Sequence, residues 1–487
     1  MQLPPHSCPY TGPSKARGPL ETSLVISHLC GRKLALPLLA ITVTAATLLA
    51  GCANTSGTAQ PAAALAATAE AAPQATPCPA QVPAGTRCLS GQDSAGAFYL
   101  IAIPAQWNGT LVLHAHGGPA LGAPRMERSV EDLERWAIVV KAGYAWAGST
   151  FRQGGVAVRA AAQDTERLRR IFLQHVAQPQ LTILHGQSWG ASVAAVGASM
   201  FTDDGRGKRP YDGVLLTSGV LAGGSTAYDF RIDLRVIYQS LCGNHPRASE
   251  PQYPLSIGLP AGARMTSADL NARINECLGL GKPQAQRTPE ELRKIKTIVD
   301  VVKIPASSIA SHMAWATFHF QDVVQMRTAG ASPFGNMGVR YSGSSDDAAL
   351  NASVARYAAD PRAVATFAAD TDPDGRIPVP VLTVHGIDDP TAFVEMDDSF
   401  LRTMQKAGTA DHLVQTFTAD NTHSYLSDAA YPTLLAALSA WTRGAPKPTP
   451  AQIAQQCLPF EPVYGKGCRF KPDYQPPPLA SRVPPRH

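Results

Sequence analysis

Residues 181–200 constrain this chain more than any other stretch. An apolar run, Leu181 to His185 (LTILH), leads directly into Gly186-Gln187-Ser188-Trp189-Gly190 and then into the small-residue segment ASVAAVGASM. A short continuous apolar run reads as a strand buried on both faces, and the small residues after it read as a helix that packs closely. The serine between them stands where the backbone must pass from strand to helix within one residue. Glycines two positions before and two after remove the side chains that would block such a turn. A helix starting there directs its free N–H groups and positive end at the serine. The pattern predicts a nucleophile, Ser188, held at the tip of a sharp elbow.

The same alternation extends in both directions. Strands are expected over Ala97–Pro104, Thr110–His116, Gly143–Thr150, Leu181–His185 and Asp212–Thr217, with helices over Val130–Ala142, Val158–Val176 and Ala191–Met200. After Leu221 the alternation stops for about 150 residues of helical stretches and Pro/Gly loops. It resumes with strands Pro378–His385 and His412–Thr418 and helices Ala392–Ala407 and Tyr425–Thr442. Buried strands separated by helices predict a mostly parallel sheet covered on both faces. A long insertion late in such a sheet lies over the carboxyl ends of the strands, where open α/β sheets bind ligands. The segment Leu221–Asp374 is therefore read as a largely helical cap.

A serine hydroxyl needs a general base, and an acyl-transfer site needs two backbone donors where negative charge develops. One donor is expected from the N–H of Trp189, the residue after the nucleophile. The other is expected from the turn His116-Gly117-Gly118-Pro119, at Gly118, where a side chain would crowd the oxyanion; Gly117 is the second choice. The elbow and the HGGP turn resemble those of the α/β-hydrolase superfamily, and the resemblance spans about residues 95 to 445 apart from the insertion. It implies the chain order serine, acid, histidine. His385-Gly386-Ile387-Asp388-Asp389-Pro390 is similar to the family's acid loop H-G-x-x-D-P, which puts the acid at Asp389, with Asp388 as the rival. His423, after the strand HLVQTFT, stands where the family carries its base. His114, His116, His185 and His385 end strands and read as structural or supporting. His312 and His319 lie in the insertion, where they can face substrate or the core.

HGGP with G-x-SWG resembles prolyl aminopeptidases, although the turn here continues to Ala120 and the elbow carries Gln187. The lead-in Pro104-Ala105-Gln106-Trp107-Asn108-Gly109 resembles the tannase and feruloyl esterase group, which has cysteines beside its serine and histidine where this chain has Gln187 and Thr422. An aminopeptidase must bind a free ammonium, for which the insertion offers Asp229, Asp233, Glu276, Glu290, Glu291 and Asp322. An esterase needs an apolar acyl pocket, for which it offers Tyr228, Phe230, Trp315 and Phe318. The expected function is a serine hydrolase working through an acyl-enzyme, with a carboxylic ester favoured. A prolyl-aminopeptidase-like activity and a non-catalytic binding lipoprotein are the alternatives. The expected substrate is a small-molecule ester or a short peptide.

The N-terminal residues read as an address. Arg32 and Lys33 precede an apolar run, Leu34–Ala50, which suits an export signal better than a membrane span of about 20 residues. It ends in Leu49-Ala50-Gly51-Cys52, which resembles a bacterial lipobox and implies lipidation at Cys52. Without residues 1–51, and so without Lys15, Arg17, Arg32, Lys33 and Glu21, the formal charge of +5 becomes +2. No basic stripe argues for nucleic acid. Six cysteines then remain, in the sequence-local pairs Cys78/Cys88, Cys242/Cys277 and Cys457/Cys468, an even count that fits disulfides in an oxidising compartment. With no C-x-x-C or H-E-x-x-H, no metal or cofactor is expected. The expected organisation is a lipoprotein signal peptide at 1–51, a flexible tether at 52–76, and the hydrolase core in two parts, 77–220 and 375–445. The cap occupies 221–374 and a disulfide-bearing C-terminal extension 446–487. The expected location is the bacterial cell envelope, at the outer membrane or periplasmic face, or outside the cell.

Overall fold

Continuous apolar segments along the chain assemble into one sheet. The computed structural model describes residues 69–205 and 207–486. The expected signal peptide, Cys52 and the first part of the expected tether lie outside the described residues. The strands are β1 (Gln74–Thr76), β2 (Arg87–Gln92), β3 (Phe98–Ile103), β4 (Thr110–Ala115), β5 (Ala145–Ser149), β6 (Leu181–Gln187), β7 (Gly213–Thr217), β8 (Val381–Gly386) and β9 (Leu413–Thr418). Their order across the sheet is β1-β2-β3-β5-β4-β6-β7-β8-β9. The pairs from β1 to β5 are antiparallel, and all pairs from β5 through β9 are parallel.

Every residue of β4 to β8 is buried, because helices cover both faces. On one face, Leu111 and Leu113 of β4 pack with Phe172 of helix Val158–His175 and Val193 of helix Trp189–Met200. On the other, Val112, Ile183, Leu215 and Leu382 pack with Trp136 and with Leu434 of helix Ala430–Thr442. Each large apolar side chain buried in this way contributes about 1.5–3 kcal/mol.

The sequence predicts one helix over Val130–Ala142, but the structure has two, Glu127–Arg135 and Ala137–Lys141. Trp136 breaks them with non-helical angles (φ −100°, ψ 18°), and its indole is wholly buried against His114, His185 and Tyr431. The tether expected over 52–76 also ends earlier, since Gln74–Thr76 pairs with Cys88–Ser90 as the edge strand. Edge pairing uses main-chain groups alone, so the sequence QAT carries no apolar sign of it.

The insertion between β7 and β8 is helical. It includes Asp229–Cys242, Ser267–Leu278, Pro289–Val302, a continuous helical run over 309–327 with two π turns, and Pro361–Thr371. Thr266 and Thr288 start two of these helices with reciprocal side-chain caps to Asp269 and Glu291. Disulfides join Cys78 to Cys88, Cys242 to Cys277 and Cys457 to Cys468, with Cα–Cα distances of 5.3, 5.7 and 5.7 Å. The proline-rich C-terminal stretch is tied to the body. Arg482 pairs with Glu395 at 2.8 Å, and Arg486 reaches Asp233 in the insertion at 2.7 Å. Among the described residues, no helix is long and apolar enough to cross a membrane, and no cluster of side chains has the makings of a metal site.

Candidate functional site

Ser188 lies at the end of β6 with φ 56° and ψ −122°, a left-handed conformation that side-chain-bearing residues seldom adopt and that costs about 1–3 kcal/mol. Neighbouring strands hold it there. Its N–H donates to the Thr217 carbonyl at 2.9 Å, and its own carbonyl accepts from Ala191 at 3.0 Å and Val220 at 3.1 Å. A Cβ on Gly186 would run into the Gly190 carbonyl, and one on Gly190 into the carbonyls of Ala115 and His116. Both glycines of the motif are therefore required by close backbone approach. Ser188 is 7% exposed.

The loop after β9 brings His423 to the serine, with Nε2 2.8 Å from Ser188 Oγ. On the other side of the ring, Nδ1 lies 2.7 Å from Asp389 Oδ2. Burial works against ionisation of Asp389. The neighbouring His423 and His385 outweigh it and hold the carboxyl well below its usual range. The ionised Asp389 only accepts, so Nδ1–H donates to it and Nε2 is left to accept from the serine O–H.

Asp389 is itself tightly held. Oδ1 accepts from the N–H groups of Thr391 at 2.7 Å and Ala392 at 3.0 Å. Oδ2 also lies 3.3 Å from Nε2 of His385, whose Nδ1 meets Asp397 at 2.6 Å. Burial disfavours a charge on His385, but the Asp397 and Asp389 carboxylates raise its pKa to about 10. A buried imidazolium thus stands between two carboxylates. The rival Asp388 is exposed and outside this chain of contacts.

The HGGP turn faces the elbow. Trp189 is the first residue of its helix, so its N–H has no intrahelical acceptor. Arg128 donates from Nη2 to the Gly117 carbonyl at 2.5 Å. In a trans peptide the C=O and the following N–H point opposite ways, so this grip fixes the direction of the Gly118 N–H. At Gly117 a Cβ would strike the Gln187 side chain. At Gly118 a Cβ would meet no protein atom, and the demand for glycine comes from φ +67°. Gln187 in turn donates to Ser424 Oγ at 2.5 Å, linking the elbow to the His423 loop. A cavity of about 450 Å³ opens beside this turn, lined in part by Pro119, Leu121, Arg128, Phe151 and Trp189.

His114 and His185 lie in the core with their Nδ1 atoms 3.0 Å apart. His116 stacks on Phe151, with ring centroids 4.4 Å apart. His312 and His319 instead tie the insertion to the site's loops. Their Nε2–H groups donate to the carbonyls of Pro390 and Pro119, each at 3.0 Å. Arg128, Asp397 and Arg231 were not singled out by sequence. An arginine or aspartate far along the chain carries no local mark of the backbone or side chain it meets.

Six parallel-paired strands, a strand–serine–helix elbow, and an acid and a histidine after the two last strands define the architecture. The chain has the α/β-hydrolase fold. No protein-family model and no curated protein matches it. Among solved structures it is similar to feruloyl esterase B from Aspergillus oryzae (13% identity, 77% of this chain and 87% of that chain, TM-score 0.37) and to the rice cell wall degrading esterase LipA from Xanthomonas oryzae (13%, 69% and 83%, TM-score 0.33). It is also similar to a puromycin hydrolase (13%, 77% of this chain, TM-score 0.35), of whose length it spans 40%.

Proposed function

We propose that this chain is a serine hydrolase that cleaves carboxylic esters through an acyl-enzyme on Ser188. One observation carries the reading: the unbroken hydrogen-bonded chain from Ser188 Oγ through His423 to Asp389, at 2.8 and 2.7 Å. In the proposed reaction, Ser188 Oγ attacks the ester carbonyl carbon while His423 Nε2 takes the hydroxyl proton. The carbonyl oxygen becomes an oxyanion held by the N–H groups of Trp189 and Gly118. As the intermediate collapses, the C–O bond to the alcohol breaks and His423 returns the proton to the departing oxygen. Water, deprotonated by the same nitrogen, then releases the acid and restores the serine. Asp389 fixes the imidazole's tautomer and stabilises its charge, and Arg128 sets the oxyanion turn.

The favoured bond is an ester because five of the six acidic residues of the insertion named above are already paired with arginine or lysine. Asp229 and Asp233 pair with Arg486, Glu276 with Arg247, Glu290 with Arg293 and Glu291 with Lys282, while Asp322 Oδ2 lies 3.6 Å from Arg327 Nε without a hydrogen-bond partner. The test compares p-nitrophenyl acyl esters with aminoacyl and short peptidyl p-nitroanilides on protein starting near Ala69, which keeps β1, with Ser188→Ala as the blank. Serine-dependent ester turnover is expected. Anilide turnover that vanishes when the amine is blocked would move the assignment to an aminopeptidase. Folded protein that neither turns over ester nor reacts with a fluorophosphonate would be a binding protein on the same fold.

Three disulfides suit an oxidising compartment, and with the lipobox-like segment they support export with lipidation at Cys52. Mass spectrometry of the mature N-terminus tests this: a diacylglyceryl cysteine is expected, and an unmodified or uncleaved N-terminus would refute it.

A further inference from the structure

The insertion holds a buried charge without a hydrogen-bonded partner that the proposed chemistry does not use. Arg231, in the first turn of helix Asp229–Cys242, is 3% exposed. Its guanidinium carbon lies 4.5 Å from the Trp315 ring, 4.5 Å from the Phe230 ring and 5.1 Å from the Tyr228 ring. Tyr228 and Trp315 stack on each other at 4.2 Å. Aromatic faces attract a cation, but they do not satisfy the five N–H donors that lie in the guanidinium plane. Among the described residues no carboxylate, carbonyl or hydroxyl pairs with that fork, and Nε is sealed from solvent without an acceptor. The other deeply buried arginines differ. Arg169 is paired with Glu166, and Arg235 donates to the His245 carbonyl. A buried cation without a hydrogen-bonded partner is costly, and folded proteins rarely keep one.

Its place in the fold suggests what the cost serves. Phe230 packs edge-on to His312, which is bonded to the carbonyl of Pro390, the residue after Asp389. Trp315 stacks on His319, which is bonded to the carbonyl of Pro119, the residue after Gly118. The aromatic shell around Arg231 is thus fastened on one side to the acid loop and on the other to the oxyanion turn. Trp315 and His319 bound a π turn, a departure from regular helix that is common at functional sites.

We propose that Arg231 is the anion-recognition residue of the substrate site, its open guanidinium fork receiving the carboxylate of an acidic ester. This rests on the reading of Ser188 as the nucleophile and adds a substrate class to it. A planar fork packed among three rings and left without an acceptor is suited to bidentate contact with a carboxylate, which supplies the partner the protein lacks.

Two size-matched chromogenic pairs place the carboxylate on either side of the scissile bond. They are o-nitrophenyl hydrogen adipate against o-nitrophenyl hexanoate, and o-nitrophenyl butanoate with and without a ring carboxylate. In the wild-type protein one acidic ester is expected to exceed its neutral partner about 10- to 100-fold in kcat/KM, the ratio carried by a hydrogen bond to a charged group. Arg231→Met is expected to bring that ratio close to one, and Arg231→Lys to keep part of it. Serine-dependent turnover with no acidic preference in either pair would overturn the proposal while leaving the hydrolase reading intact, as would a preference that survives Arg231→Met. If no ester is turned over, the ester-hydrolase reading fails. Calorimetry with adipate then decides for Arg231: binding lost in Arg231→Met sustains the anion site, and no binding to wild-type protein ends it. Should Arg231→Met not fold, the wild-type ratios and Arg231→Lys still decide, since an unchanged preference in the lysine variant refutes the fork.

Discussion

Replacing Asp389 by asparagine exchanges one oxygen for an NH₂ group, and the structure dictates where that group must go. The N–H groups of Thr391 and Ala392 both donate to Oδ1, at 2.7 and 3.0 Å. Two donors in that position exclude the amide nitrogen, so the amide oxygen stays there and the nitrogen takes the Oδ2 position. That position is 2.7 Å from His423 Nδ1. An amide donating to Nδ1 forces the ring proton onto Nε2, which then faces Ser188 Oγ, at 2.8 Å, as a donor rather than a base. The fold is left nearly intact and the general base is lost. A wrong-tautomer substitution of this kind in a serine triad costs about 10⁴-fold in kcat, equivalent to about 5 kcal/mol of barrier. The assay is steady-state ester hydrolysis with active-site titration, on protein whose unfolding transition matches the wild type. Asp388→Asn, at the exposed neighbour, is the companion variant and is expected to stay within about twofold of wild type, as surface substitutions usually do. Asp389→Asn retaining more than about a tenth of kcat would refute the tautomer argument. So would an equal loss in Asp388→Asn.

Arg128→Met should lower kcat by about tenfold with little change in KM, less than the 10²–10³-fold expected for losing an oxyanion donor outright, because the Gly118 N–H remains but its peptide is no longer held. A selective rise in KM would place Arg128 in substrate binding instead. His385, with a folded-state pKa of about 10 against an ordinary 6.5, contributes stability that is complete below about pH 6.5 and lost as pH rises through about 10. The urea midpoint should therefore fall between pH 7 and 10, and His385→Asn should lose that fall while being less stable throughout; an unchanged slope in the variant would contradict a protonated His385. Replacing Cys242 and Cys277 by serine opens a loop 35 residues long, which the chain-entropy estimate sets at about 4 kcal/mol of stability. Chemical denaturation measures this, and no loss of stability would contradict the estimate.

What could be read along the chain was what local pattern encodes. A buried strand, a turn needing glycine and a tightly packed helix are consecutive in residues 181–200, so Ser188 and its elbow were legible without a fold. The HGGP turn was legible as a short motif at a strand end, and the acid and histidine loops through their resemblance to the α/β-hydrolase pattern and its chain order. Local pattern misplaced the break at Trp136 and the edge strand at Gln74–Thr76, because a buried indole and a main-chain ladder depend on distant partners. Ionisable side chains showed the same limit. Sequence offered six acids to bind an ammonium, yet five are paired with arginine or lysine, four of them with partners on other segments. Arg231 drew no notice in the sequence because nothing near it in the chain says that its fork stays empty. Charge pairing acts across space, at distances of a few ångströms, between residues up to 257 positions apart, as Asp229 and Arg486 are. Only tertiary packing decides which charges are neutralised and which are buried without a hydrogen-bonded partner.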